Sequence, residues 1–316
     1  MDLRFHTLDI TDREAYQAVS LRSGRRNCNF TFANLIGWQF WFHTEVCILA
    51  DAVVLRFTLD GERAYMLCCA GTPRCDLLLA ICNDCGGRMT LLGLEDDQVD
   101  CVNALVRECG SSDNAITQLH IDTIKQRNQY DYIYRRVDLA ALQGGKLKAK
   151  RNHVNKFHAE HPDFEYRELM PAMFDECRRL EALWREEKDE SRNSNFEIQN
   201  SNLMINAEQR VIETVFAHWD ELGMTGGSIW LDGRMVAFTY GTAVTDDTID
   251  VCVEKADRSI NGLFSVINQQ FCAHLPEKYL YVNREEDMGL EGLRKAKLSY
   301  HPEILLTYNV VKIESS

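Results

Sequence analysis

The sequence predicts a mixed α+β (α/β) protein of two lobes, 1–143 and 144–316, each a mostly antiparallel sheet flanked by helices. Three observations carry this expectation. A chain of 316 residues exceeds the usual size of one domain. Short β-prone runs, bounded by Asp-Gly turns, are followed by segments with apolar residues at helical spacing. The stretch VVLRFTLDGERAYMLC (53–68) also repeats the strand–turn–strand pattern of GSIWLDGRMVAFTYG (227–241), as a degenerate tandem copy would.

In the first lobe, Val46–Ala50, Val53–Leu59 and Ala64–Cys69 read as strands, with Asp60-Gly61 turning between the last two. Helices are expected around Cys75–Cys82 and Asp97–Cys109, and a further strand over Tyr130–Val137. In the second lobe, Met173, Cys177, Leu180 and Trp184 fall at helical spacing, as do Ile212, Val215, Trp219 and Leu222. The polar run Asp189–Asn202 between them reads as a long exposed loop. A three-strand meander follows from Gly227, turning at Asp232-Gly233 and at Asp246-Asp247. Next come a helix over 262–275, a strand KYLYVN (278–283), a helix over 288–300, and a final strand pair after His301-Pro302.

Composition excludes several function classes. With 45% hydrophobic residues the chain can bury a sizeable core, and nothing marks it as disordered. The opening MDLRFHTLDITDRE mixes charge and apolar residues too quickly for a signal peptide, and no apolar run reaches the ~18–20 residues of a membrane helix. A cytoplasmic location is the expectation. A net charge of −13 disfavours nonspecific binding to nucleic acid or anionic membrane, while leaving room for a local basic cleft. Of the 12 cysteines, nine lie in the first 109 residues without framework spacing, so reduced, mostly buried thiols are expected. Cys82-Asn83-Asp84-Cys85 has the shape of half a zinc knuckle, but no second C-x-x-C exists and Cys68, Cys69 and Cys75 would have to complete it. No metal is therefore expected. No H-E-x-x-H, Walker loop or nucleophile elbow occurs.

Two segments are rich in chemistry. GGKLKAKRNHVNKF (144–157) has no acidic residue, and Lys146, Lys148, Lys150, Arg151 and Lys156 supply five positive charges. On a helix, Arg151 falls near the middle of the Leu147, Val154 and Phe157 stripe, with Asn155 one turn on. A guanidinium among packing residues needs an anionic partner. A bound phosphate or carboxylate in a cleft would supply one, and a structural carboxylate is the plainer alternative. NREEDMGLEGLRKAKLSYHP (283–302) packs charges before a helix for which Asp287 is a suitable N-cap. Along that helix Arg294 and Lys297 share a face. In the strand Ile249–Glu254, alternation places Asp250, Cys252 and Glu254 on one face and Ile249, Val251 and Val253 on the other. Glu254, at the strand's end, is the better placed general base, with an ordinary cross-strand ion pair as the alternative.

Together the two segments, with GRMVAF (233–238) and VEKADRSINGLF (253–264), resemble the C-terminal acyltransferase domain of phosphatidylglycerol lysyltransferases, and more closely its soluble relatives of unassigned function. The wider group includes Fem-type aminoacyltransferases, and the resemblance implies tandem GNAT-like acyltransferase lobes in which two central strands splay to admit the donor. It implies an acyl or aminoacyl transfer to an amine or hydroxyl acceptor, with acyl-CoA or aminoacyl-tRNA as donor and a small-molecule, lipid or peptide acceptor. Lys297 matches the relatives' K-x-x-[aromatic]-x-P pattern in KLSYHP, which implies a role on a phosphate or oxyanion, with Tyr300 as acid to the leaving group. Lys150, Arg151, Asn155, Asn283 and Arg294 would contact substrate or donor. The pyrophosphate turn of CoA-using members would fall on RSINGL (258–263), where Arg258, Asn261 and Gly262 stand but only one glycine is present. The lysyltransferases carry an N-terminal membrane region that this sequence does not show, so a soluble or peripheral acceptor is expected. The rival expectation is a non-catalytic binding protein that keeps the fold and the basic cleft, and a weaker third is a zinc-dependent interaction module in the first lobe.

Overall fold

The computed structural model describes residues 2–59, 61–71, 73–86, 88–110, 119–190 and 207–315. They form two compact units. The first comprises Met1–Asp131, Glu286–Glu291 and Leu305–Ser316, and the second Tyr132–Glu285 and Gly292–Ile304. The second unit thus begins ahead of the 143/144 boundary read from the sequence, and the end of the chain returns to the first unit.

In the first unit, β1 (His6–Thr7), α1 (Arg13–Ser20), α2 (Phe32–Gly37) and α3 (Gln39–Phe42) precede an antiparallel run of β2 (Glu45–Ile48), β3 (Ala52–Leu59) and β4 (Glu62–Cys69). Then come α4 (Cys75–Asp84), β5 (Arg88–Leu94), α5 (Asp96–Gly110) and β6 (Leu119–Lys125). The predicted strands and helices all appear, because β3 and β4 carry β-branched and aromatic residues buried on both faces. The sheet order is β1-β2-β3-β4-β5-β14-β6, where β14 (Asn309–Ser315) is the last strand of the chain. Tyr65, Leu67, Leu77, Ile81, Leu91, Val102, Val311 and Ile313 form its core on the side of α4 and α5.

The second unit opens with β7 (Asp131–Arg135), α6 (Arg136–Ala141), α7 (Lys148–Glu160), β8 (Glu165–Glu168), α8 (Phe174–Glu190), α9 (207–217) and α10 (Trp219–Leu222). The meander β9 (Thr225–Leu231), β10 (Arg234–Ala243) and β11 (Thr248–Ala256) follows as predicted, then α11 (Leu263–His274), β12 (Tyr281–Asn283), α12 (Glu291–Leu298) and β13 (Ile304–Leu306). Its sheet runs β13-β7-β12-β11-β10-β9-β8. Of the expected Asp189–Asn202 loop, Asp189 and Glu190 continue α8 and the rest lies outside the described residues. The expected final strand pair is corrected: β13 joins the second sheet and β14 the first. Each sheet therefore inserts, next to its β5 or β12 strand, a strand from the other half of the sequence.

The first sheet is antiparallel apart from the central parallel pair β4 with β5; in the second, β7 pairs antiparallel with β12, and β11, β10, β9 and β8 run antiparallel in turn, around the central parallel pair β11 with β12. No described helix is long and apolar enough to cross a membrane. Cys28, Cys47, Cys68, Cys69, Cys177 and Cys272 are buried and outside any disulfide, whereas Cys75 is disulfide-bonded, which departs from the expectation of reduced thiols. Cys82 sits in the last turn of α4, and the Cys85 thiol turns back onto its carbonyl oxygen at 3.2 Å.

Candidate active site in the second sheet

The parallel ladder between β11 and β12 contains Thr248↔Tyr281, Ile249↔Val282 and Asp250↔Asn283 and then stops, while β11 runs on to Ala256. The strands part, and the wedge between them holds the side chains of greatest chemical interest. At the same place β11 carries an irregularity. Tyr240 of β10 pairs with Val253 and the next residue, Gly241, with Val251, so Cys252 is an extra residue on its strand. Such a bulge shifts the alternation by one and re-aims the side chains beyond it.

This overturns the expected face of Glu254. Asp250 and Cys252 stay together, with Sγ 3.9 Å from Oδ2, but Glu254 turns to the opposite face and meets α11, where Asn268 Nδ2 donates to its Oε2 at 3.5 Å. Lys255 points the other way, onto Glu208 of α9 at 2.8 Å and over the Trp184 ring. Gly241 makes the bulge sterically feasible: a Cβ there would lie 2.0 Å from the Asp250 carbonyl oxygen.

Across the wedge Arg284 donates to Glu254 Oε1 at 2.9 Å, both side chains being 13% exposed. In the sequence Arg284 is one charge among several in a turn. The signal that finds it is the alternation of the strand before it, since Arg284 follows the fully buried Val282 by two positions. Its turn is clamped from several directions. Arg284 N–H donates to the Tyr132 carbonyl and Tyr132 N–H to the Glu285 carbonyl, continuing the β7 ladder. Asn283 Oδ1 accepts from Glu285 N–H at 2.7 Å, and Glu285 takes the left-handed backbone conformation at φ +57°. Lys297 Nζ donates to the carbonyls of Arg284 at 2.5 Å and Glu285 at 3.0 Å. Lys297 is thus buried and engaged with backbone carbonyls, where the resemblance implied a role on a phosphate or oxyanion.

Tyr300 closes the wedge. Its hydroxyl donates to Ser265 Oγ of α11 at 3.1 Å, its ring lies edge-on to Tyr134, and the Arg284 guanidinium is 5.0 Å from the ring centroid. Burial, opposed by Arg284, raises the Tyr300 pKa, so this phenol stays protonated at neutral pH. Lys150, on α7, places its ammonium 4.1 Å from the same ring centroid. Burial and then the Arg284 charge lower its pKa from the usual lysine range, against the pull of Glu254. Around Arg284, burial works to lower the guanidinium pKa but Glu254 and the two tyrosines outweigh it.

The remaining predicted residues lie elsewhere. Arg151 does not offer its guanidinium to a cleft: Nη1 donates to the carbonyls of Leu142 at 2.7 Å and Gly144 at 3.1 Å, tying α7 to the end of α6. Asn155 is exposed and Arg294 half-buried. Arg258 and Asn261 are exposed in the turn before α11, with the Arg258 guanidinium 4.9 Å from the Trp184 ring centroid. Gly262, at φ +83°, is the N-cap of α11 and packs so near α7 that a Cβ would meet the His153 carbonyl oxygen at 2.9 Å. Asp287 is not the cap of α12. It makes a tight turn onto Gly289 N–H, pairs with Arg127 at 3.1 Å, and the helix begins later, at Glu291. The site that assembles is therefore Lys150, Glu254, Ser265, Asn268, Arg284 and Tyr300, positioned by Asn283 and Lys297.

Comparison with known proteins agrees with this architecture. The chain is 33% identical to a solved conserved protein of unknown function from Bacteroides thetaiotaomicron VPI-5482, at a TM-score of 0.86 over 99% of this chain and 100% of that one. The C-terminal domain of a protein described as a lysylphosphatidylglycerol synthetase from Agrobacterium fabrum shares the fold at 14% identity and a TM-score of 0.63, over 95% of this chain and 92% of that one. L-PGS from Bacillus licheniformis does so at 12% identity and a TM-score of 0.60, over 95% and 91%. No curated protein matches the chain. Residues 22–311 match the family model described as phosphatidylglycerol lysyltransferase, C-terminal, and the chain belongs to that family.

Proposed function

We propose that the second unit transfers an acyl or aminoacyl group to an amine or hydroxyl acceptor, with the reaction at the open end of the β11–β12 pair. The observation that carries this reading is the wedge: a parallel pair that stops hydrogen-bonding at Asp250 and Asn283 and holds Glu254, Arg284, Tyr300 and Lys150 beyond it. Family membership supports transfer chemistry as the class.

In this reading the acceptor attacks the donor carbonyl directly. Glu254 takes the acceptor's proton, and Arg284, whose charge is permanent, balances the carboxylate and the developing oxyanion. The protonated Tyr300 donates to the leaving group, and Ser265 orients its hydroxyl. Lys150 and, from the exposed turn before α11, Arg258, Asn261 and Gly262 bind anionic parts of the donor, an acyl-CoA or an aminoacyl-tRNA. A lysine held in a partly buried, cationic neighbourhood gains most from an arriving phosphate. Asn283 and Lys297 act through the Arg284 turn, and Arg151, Asn155 and Arg294 have peripheral parts in binding.

Thermal-shift measurements with acetyl-CoA, longer acyl-CoAs, CoA alone and aminoacyl-adenosine mimics test the proposal. A ligand at a hundredfold excess over its dissociation constant stabilises by about 2.7 kcal/mol. One of these donors is expected to raise the midpoint of the wild type and to lose most of that shift in Lys150→Ala. Silence from every donor favours the rival reading, a binding protein that keeps the fold without the chemistry.

A further inference from the structure

The first unit contains a cavity of about 280 Å³, lined by residues of that unit alone. It lies where the first sheet's own parallel pair comes apart. The β4–β5 ladder contains Ala64↔Thr90 and Tyr65↔Leu91, and the next residue on each strand, Met66 and Leu92, lines the cavity. Trp38, Phe42, Phe57 and Tyr308, with Leu35 and Leu59, complete the apolar wall. Phe42 and Leu59 are each 37% exposed, so the cavity is reachable from solvent at that edge.

Its other lining residues are polar but uncharged, Asn29, Asn34, Thr44 and Gln129, and no lysine, arginine, aspartate or glutamate lines it among the described residues. Burial raises the Tyr308 hydroxyl's pKa, and Cys28, Asp131 and Glu286 beside it raise it further. An anion placed there would lose its hydration without gaining a cation, at a cost of several kcal/mol. Size narrows the class again. An apolar cavity of about 150 Å³ accepts benzene, so this one suits a body of roughly two fused rings.

We propose that this cavity binds an uncharged, compact apolar molecule of bicyclic aromatic size carrying one hydrogen-bonding group. Its rings pack against Trp38, Phe42 and Phe57, and its polar group is met by an amide or hydroxyl of the wall. This assigns the first unit a ligand chemically unlike the anionic donors of the second.

Isothermal titration with 1-naphthol and with 1-naphthoate, which carries the same rings and a carboxylate, decides the matter. The wild type is expected to bind 1-naphthol at least tenfold more tightly than 1-naphthoate, and Leu92→Trp, which fills the cavity, to lose that binding. Met66→Phe fills the same space from the other strand and serves if Leu92→Trp fails to fold. Equal binding of both probes, binding of neither, or 1-naphthol affinity unchanged in the filled variant overturns the proposal.

Discussion

The two sheets answer one topological problem in two ways. Each has an antiparallel meander whose third strand pairs in parallel with the strand after the next helix, and in each the pair separates after two or three residues. Beyond the separation the second sheet places Glu254 and Arg284, an ion pair screened by Tyr300 and Tyr134. The first places Met66 and Leu92, and there the gap remains a cavity. Splayed parallel strands thus create room, and the residues just past the last ladder pair decide whether it is filled with charge or left apolar. In the second sheet the Cys252 bulge is what turns a carboxylate into that room.

Removing β14 would break the comparison most severely. A chain ending at Tyr308 takes a strand from between β5 and β6, with Val311 and Ile313 at 0% and 2% exposure, each worth about 1.5–3 kcal/mol in burial. Lost ladder bonds add to this, so a large share of a typical ~5–15 kcal/mol stability disappears. Urea unfolding followed by circular dichroism is expected to show the first unit unfolded or molten, and an unchanged transition would remove β14 from the account of that sheet.

Arg284→Met comes next. It leaves Glu254 in a partly buried setting without its cation, which costs about 3–5 kcal/mol in comparable pairs. The double variant Arg284→Met with Glu254→Gln is expected to recover a large part of that loss in denaturant midpoints. Equal damage in single and double variants would mean that the pair does not hold the wedge. Gly241→Ala tests the bulge directly, because its Cβ would lie 2.0 Å from the Asp250 oxygen. A loss of about 3 kcal/mol is expected in the same assay, in the range of forced overpacking.

The smallest effect concerns Lys150. Its folded pKa is lowered, so the unfolded chain binds the proton more readily, and stability rises as pH climbs from the folded value toward the ordinary lysine range. Below that window both states are protonated, and the penalty of holding the charge is present in full. Lys150→Met is expected to be slightly more stable than the wild type at neutral pH and to show a shallower rise on the alkaline side. Denaturation midpoints across that range measure it, and identical slopes would show that Lys150 sits in an ordinary solvent environment.

Much of the element order was legible because burial imposes its period on the sequence. The β9–β11 meander and the apolar side of α11 at Leu263, Val266, Ile267 and Phe271 are written in period 2 and period 3.6. What was not legible is non-local. Nothing in NVVKIES (309–315) says that it pairs with β5 and β6, about two hundred residues earlier in the same unit, since a strand's pattern encodes its faces and not its neighbours. The internal repeat is out of register with the topology for a related reason. VVLRFTLDGERAYMLC forms β3 and β4, the second and third meander strands, whereas GSIWLDGRMVAFTYG forms β9 and β10, the first and second. Topology therefore matches β3–β4 with β10–β11, one strand on from the sequence match.

The candidate site was legible in residue types more than in roles. Glu254, Tyr300 and Lys150 stand out in the sequence and lie together, but alternation puts Glu254 on the wrong face because a bulge leaves no mark on it before the partner strand is known. Arg151 and Lys297 look alike as cations in a sequence, and both are engaged by backbone carbonyls that only the fold supplies. Arg284 was overlooked among neighbouring charges although it faces inward.

The most direct test of the central claim is a crystal structure of the protein soaked with a non-hydrolysable aminoacyl-adenosine or acyl-CoA analogue that binds in solution. The account predicts density between β11 and β12, with the transferable carbonyl beside Arg284 and Glu254 and the phosphate or ribose end toward Lys150 and the turn before α11. Density elsewhere, with the wedge unchanged and the Glu254–Arg284 pair intact, would contradict it.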